Sequence, residues 1–92
     1  MKQFIVVAYD IADDKRRNKI YDVLSSYGQR ANYSVFECFL SEKDIQKLKG
    51  RIGRHLKKGE DIVLYYYLCR ACLERRERAG NYSDEKSIVK VF

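Results

Sequence analysis

Two short apolar runs, "QFIVVAY" at residues 3 to 9 and "DIVLYYYLC" at 61 to 69, constrain the fold of this chain more than any other feature. Both are dense in β-branched and aromatic residues, the pattern of central strands covered on at least one face. The residues between them supply the cover. Asp13 or Asp14 can cap a helix over about residues 14 to 27, in which Ile20, Val23, Leu24 and Tyr27 recur at i, i+3, i+4 and i+7 and Gly28 is the left-handed stop. Ser41 with Asp44 three residues later resembles a capping box. It opens a second helix whose apolar stripe, Ile45, Leu48, Ile52 and Leu56, ends at Gly59.

Between the helices, "QRANYSVFECFLS" alternates, with Val35 on one face and Phe36, Cys38 and Leu40 on the other, and reads as two strands bent near Tyr33. "SIVKVF" at the C-terminus reads as a short fifth strand. The order β-α-β-β-α-β is the ferredoxin-like α+β arrangement, an antiparallel sheet with both helices on one face, here with the extra C-terminal strand. A chain of 92 residues makes one such domain, residues 1–92, with residues 77 to 86 the stretch least bound to fold. Two helices cover only one sheet face. Tyr65 and Tyr67 alternate with Leu64, Tyr66 and Leu68, so neither face of the fourth strand is polar, and a homodimer burying the second face is the economical expectation. The terminal strand is suited to adding to a partner's sheet edge.

The formal net charge of +6 favours an anionic partner, nucleic acid above all. A membrane role is not expected: the longest apolar runs fall far short of the ~18 residues a spanning helix needs, and no small-residue cleavage site follows the N-terminal run. Three cysteines, an odd number, suit a reducing cytoplasm.

Asp10 ends the first strand, and a carboxylate in an apolar run is costly unless something compensates it. One solution is local, with Asp10 pairing with Arg16 or Arg17 or capping the helix start. The other needs a dimer: near a two-fold axis Asp10 meets its own copy, and two carboxylates plus water make a Mg²⁺ or other divalent-cation site that polarises a phosphodiester. Lys15, Arg16, Arg17 and Lys19 crowd the start of the first helix, Arg30 follows it, and Lys47, Arg51 and Arg54 lie off the apolar stripe of the second. Arginine forks suit phosphate oxygens, so these are candidate nucleic-acid contacts. No base-reading motif is visible, which predicts binding independent of sequence and steep in salt. Cys69-x-x-Cys72 is a weak zinc signal, since only Cys38 and His55 could complete it. His55, the only histidine, reads as a surface residue.

From "VVAYDIADDKRRNKI" through "YGQRANYSVFECFLS" to "DIVLYYYL", the chain resembles the small CRISPR-associated nuclease-like proteins that act with the CRISPR-associated integrase in spacer acquisition. The most specific parts are "YDI" closing strand 1, the arginine of "KRRNK" and "SVFE" after the glycine-arginine turn; Asn32 stands where the family usually has glutamine. The resemblance implies a homodimer whose Asp10 residues face each other and share a divalent metal. It also implies either a metal-dependent endonuclease on single-stranded RNA or double-stranded DNA, or a non-catalytic adaptor bridging integrase dimers. Tyr9, Asp10, Arg17, Arg30 and Phe36 are the positions carried over. A small-molecule phosphatase on the same fold would need a glycine-rich loop after strand 1, and "DIADDKRR" has no glycine.

Overall fold

The computed structural model describes residues 1–80. Its elements are β1 Lys2–Asp10, α1 Asp14–Ser25, β2 Gly28–Asn32, β3 Val35–Ser41, α2 Glu42–Gly53, β4 Ile62–Leu68 and a short α3, Arg70–Glu74. The four strands form one sheet in the order β2-β3-β1-β4, with every neighbouring pair antiparallel. This is the expected ferredoxin-like arrangement. The expected fifth strand lies outside the described residues. No described helix is long and apolar enough to cross a membrane.

Strand side chains alternate between faces, so register decides what meets the helices. Val7 pairs with Phe36 and Ile5 with Cys38, and these residues join Tyr9, Ile20, Leu24, Ile45, Leu48 and Ile52 in one buried cluster. Both helices therefore lie on this face. Asp13 caps α1 by accepting the Arg16 N–H at 2.9 Å, and Ser41 caps α2 by accepting the Asp44 N–H at 3.2 Å. Such caps are worth about 1 kcal/mol each.

Three local expectations are corrected. Gly28 does not end α1 with a left-handed turn: α1 stops at Ser25, and Gly28 opens β2. A Cβ there would sit 2.3 Å from the Glu37 carbonyl oxygen and 2.5 Å from Cys38 Sγ, so close strand approach is what demands glycine. Helix α2 ends at Gly53, and Gly59 takes its positive φ of 87° in the turn leading to β4. Cys69 is not part of β4 but caps α3, its sulfur accepting the Cys72 N–H at 3.4 Å, and α3 seats Leu73 in the interior.

The second sheet face is partly covered from within the chain. Glu37, only 5% exposed, faces away from the helices and pairs with Arg76, while Arg78 lies 3.9 Å from it and donates to the Ala31 carbonyl at 2.6 Å. Buried carboxylates persist when paired. On β4 the same face stays open: Ile62, Leu64 and Tyr66 are 58%, 47% and 51% exposed.

Candidate nucleic-acid and metal site

Asp10 alternates with Val6 and Ala8 and so points to the open sheet face, exposed at the carboxyl end of the central strand. The local compensation allowed by the sequence is absent among the described residues, because Arg16 and Arg17 are both committed elsewhere. Arg16 donates through Nε and Nη2 to the Asp61 carboxylate at 2.8 and 3.2 Å and to Glu60 at 3.3 Å. Arg17 pairs with Asp14 and donates to the Ile11 carbonyl at 2.9 Å. The helix cap is Asp13. Asp10 itself has no hydrogen bond or ion pair to its side chain among the described residues.

Arg16 thus serves first as a bracket between α1 and the turn before β4. The enclosed Asp61 carboxylate also accepts the N–H groups of Lys57 at 2.8 Å and Ala12 at 3.0 Å. Hydrogen bonds from the Arg16 side chain, followed by those backbone donors, hold the Asp61 carboxyl well below the usual carboxylate range. The sequence reading missed Asp61. Antiparallel pairing of β1 with β4 sets Asp10 opposite Ile62, so the residue just before β4 was bound to lie near the start of α1.

Tyr9, Arg30 and Phe36 come together, with Arg17 close enough to bear on the Tyr9 hydroxyl. The Tyr9 ring lies 6.4 Å from that of Phe36, and its hydroxyl donates to the Tyr33 carbonyl at 3.3 Å. Burial pushes the Tyr9 phenol above its ordinary value, opposed by the Arg30 charge. The Arg30 guanidinium lies over two rings the sequence reading did not assign, 5.6 Å from the centre of Tyr21 and 5.0 Å from that of Tyr33. Tyr21 meets Phe36 edge-on at 5.5 Å. The signal was present for Tyr21, which stands four residues after Arg17 and therefore on the same helix face.

Lys15 and Lys19 are exposed on α1. Lys47 and Arg51 are exposed one turn apart on α2, and Arg54 is its exposed C-cap. Arg51 also reaches the Tyr27 hydroxyl at 3.4 Å. These cations make a basic helical layer, while Asp10 occupies the other side of the sheet. The cysteine pair has no third metal ligand: among the described residues no group of three or more His, Cys, Asp or Glu side chains could hold a metal ion.

The family profile of CRISPR associated protein Cas2 matches residues 1–76. Among curated relatives, CRISPR-associated endoribonuclease Cas2 3 of Synechocystis is 48% identical over 63 residues, 68% of either chain. CRISPR-associated endonuclease Cas2 2 of Thermus thermophilus is 46% identical over 65 residues, 71% of this chain and 72% of that one. The crystal structure of Streptococcus pyogenes Cas2 at pH 6.5 superposes with a TM-score of 0.76 at 27% identity, covering 84% of this chain and 99% of that one. The strand order, the "YDI" strand end and these matches agree, and the chain belongs to the Cas2 family of CRISPR-associated proteins.

Proposed function

We propose that this chain acts in CRISPR spacer acquisition and antiviral defence as a homodimeric, divalent-metal-dependent endonuclease that hydrolyses phosphodiesters of RNA or DNA. The supporting observation is Asp10: a carboxylate at the end of the central strand, without a cation, on the sheet face where Ile62, Leu64 and Tyr66 stand exposed. Two copies meeting on that face would bury the apolar side chains and set one Asp10 near the other.

One carboxylate per chain is too little to hold a metal, since no larger ligand group exists among the described residues. A pair of Asp10 side chains with water fits Mg²⁺ or another hard cation, which takes oxygen ligands. When bound, such a cation neutralises facing carboxylates, polarises a phosphoryl oxygen and lowers the pKa of bound water. The remaining residues bind and position. Arg30, exposed beside the strand end, is placed to meet a phosphate, and Lys15, Lys19, Lys47, Arg51 and Arg54 extend the attraction along the backbone. The Tyr9 hydroxyl donates a hydrogen bond to the Tyr33 carbonyl and ionises with difficulty, so its role is to fix the β2–β3 turn rather than to carry protons.

The single carboxylate per chain also favours a second reading, a non-catalytic adaptor that uses the same basic surfaces to bridge dimers of the CRISPR integrase. Cleavage of labelled single-stranded RNA and double-stranded DNA by wild type and Asp10→Asn, with Mg²⁺ or chelator, separates the two. The nuclease requires cutting that needs metal and is lost in Asp10→Asn, while binding survives. Equal traces of cutting in both proteins, or none, leave the adaptor.

A further inference from the structure

We infer that Tyr33 is the seat for one unpaired nucleobase, so that the strand this protein holds is single-stranded where it passes the Asp10 end of β1. The inference rests on the nucleic-acid reading above and specifies which nucleic acid, and which part of it, the site takes. Tyr33 is 83% exposed, against 51% and 47% for Tyr66 and Tyr67 on β4. An aromatic ring so open to water serves nothing in the core.

Its mount is rigid. The Tyr33 N–H donates to Asn32 Oδ1 at 2.8 Å and its carbonyl accepts the Tyr9 hydroxyl at 3.3 Å, while the neighbouring Ser34 carbonyl accepts the Tyr9 N–H at 3.0 Å. Two of these hydrogen bonds tie the turn to Tyr9, one residue before Asp10, and the third braces the turn from within. The ring is also backed. The Arg30 guanidinium stands 5.0 Å from its centre, with Tyr21 at 5.6 Å and a hydrogen bond from Nε to the Asn32 carbonyl at 3.3 Å. One face of Tyr33 is therefore charged from behind and the other is open to solvent.

A base is the ligand that uses both properties. Its π-face stacks on tyrosine whatever its sequence, and the phosphate it carries is drawn to Arg30. A second copy of the chain is a poor competitor. Arg30 and Phe36 are register partners on the helix-bearing side, whereas the exposed apolar residues of β4 lie on the other. Bases in a duplex already stack on one another and have no open face to offer, so the seat discriminates by strandedness.

The test uses one RNA carrying a single 2-aminopurine, alone and annealed to its complement. Affinity and base fluorescence are measured across a salt series, in chelator, for wild type, Tyr33→Ala and Tyr33→Phe. Tyr33→Ala should weaken single-strand binding roughly tenfold, about 1.4 kcal/mol, leave duplex binding within about twofold, and relieve the quenching of 2-aminopurine. The salt slope should not change, because no charge has been removed. Tyr33→Phe should restore affinity and quenching, which shows that the alanine effect is the loss of a ring and not of the fold. Unchanged single-strand affinity and quenching in Tyr33→Ala, or an equal loss for single strand and duplex, overturns the inference and leaves backbone binding intact. Failure of wild type to bind either nucleic acid overturns both the inference and the reading beneath it.

Discussion

Removing Arg76 from beneath the sheet leaves a buried carboxylate without its principal partner. Glu37 has 6% of its side chain exposed and Arg76 18%, so the pair is well shielded, and the Arg76 guanidinium also stands 5.9 Å from the centre of Phe4. Breaking such a pair from one side costs about 3–5 kcal/mol, because the surviving charge stays desolvated. Arg78 at 3.9 Å still opposes part of that charge, which brings Arg76→Ala to the lower end of that range or just below it, ~2–3 kcal/mol. For a domain of this size that is a fall of ~10–20 °C in Tm.

The assay is urea unfolding at fixed protein concentration on wild type, Arg76→Ala, Glu37→Gln and the double variant. Concentration is held constant because the stability of the proposed dimer would depend on it. If the cost lies in the uncompensated charge, Glu37→Gln in the Arg76→Ala background should recover a large part of it, giving a coupling above ~1 kcal/mol. A loss below ~0.5 kcal/mol in Arg76→Ala, or additivity within ~0.3–0.5 kcal/mol, would refute the reasoning and reduce the 76–78 segment to a loosely laid strap.

Other outcomes follow from the same contacts. Because Asp61 is held below its ordinary range when folded, its contribution is complete above the unfolded carboxyl value near 4 and is lost as pH falls below it. Asp61→Asn should therefore lower Tm at neutral pH and make the acid limb of a Tm–pH curve shallower by up to about one proton. Thiol titration of the folded protein should modify Cys69 and Cys72 but not Cys38, which is buried and whose thiol is pushed up to about 12; a denaturant should expose it. Lys47→Ala should reduce the salt slope of single-strand binding by ~0.7, whereas Arg16→Ala should lower Tm, because the Arg16 side chain is spent on Asp61 and Glu60.

What was legible in the sequence was what neighbours in the chain decide. Asp13 and Ser41 cap helices through bonds to residues three positions on, and Ile45, Leu48 and Ile52 face the core because a helix repeats that way. What was misread depended on distant chain. Gly28 suits a helix stop as well as a tight strand crossing, and only the approach of Glu37 and Cys38 decides between them. Glu37 was not singled out in the sequence at all, because its partner Arg76 lies 39 residues on. Cys69-x-x-Cys72 draws attention as a ligand pair, yet in the fold the Cys69 sulfur satisfies an N–H at the start of α3.

The isolation of Asp10 follows from the same kind of distant allocation. Asp10, Asp13 and Asp14 flank the start of α1 in the sequence, where any of them suits the arginines beside it, and the fold brings Asp61 to the same place. The fold assigns Asp13 to the helix cap, Asp14 to Arg17 and Asp61 to Arg16. Each assignment is set by backbone geometry: a cap must precede its helix, an i,i+3 pair shares a helix face, and antiparallel β4 returns Asp61 to the place where β1 ended. With those three satisfied, neither Arg16 nor Arg17 is left for Asp10. An exposed strand-end carboxylate without a counterion costs the monomer little, since water solvates it. Bringing a second Asp10 near it without a cation would be repulsive. In the proposed dimer the apolar face of β4 would favour association while the paired aspartates would oppose it, so divalent cation should tighten that dimer and Asp10→Asn should tighten it without cation. Sedimentation with Mg²⁺ and with chelator measures both effects, and a dimer constant indifferent to metal and to Asp10→Asn would place Asp10 away from the axis.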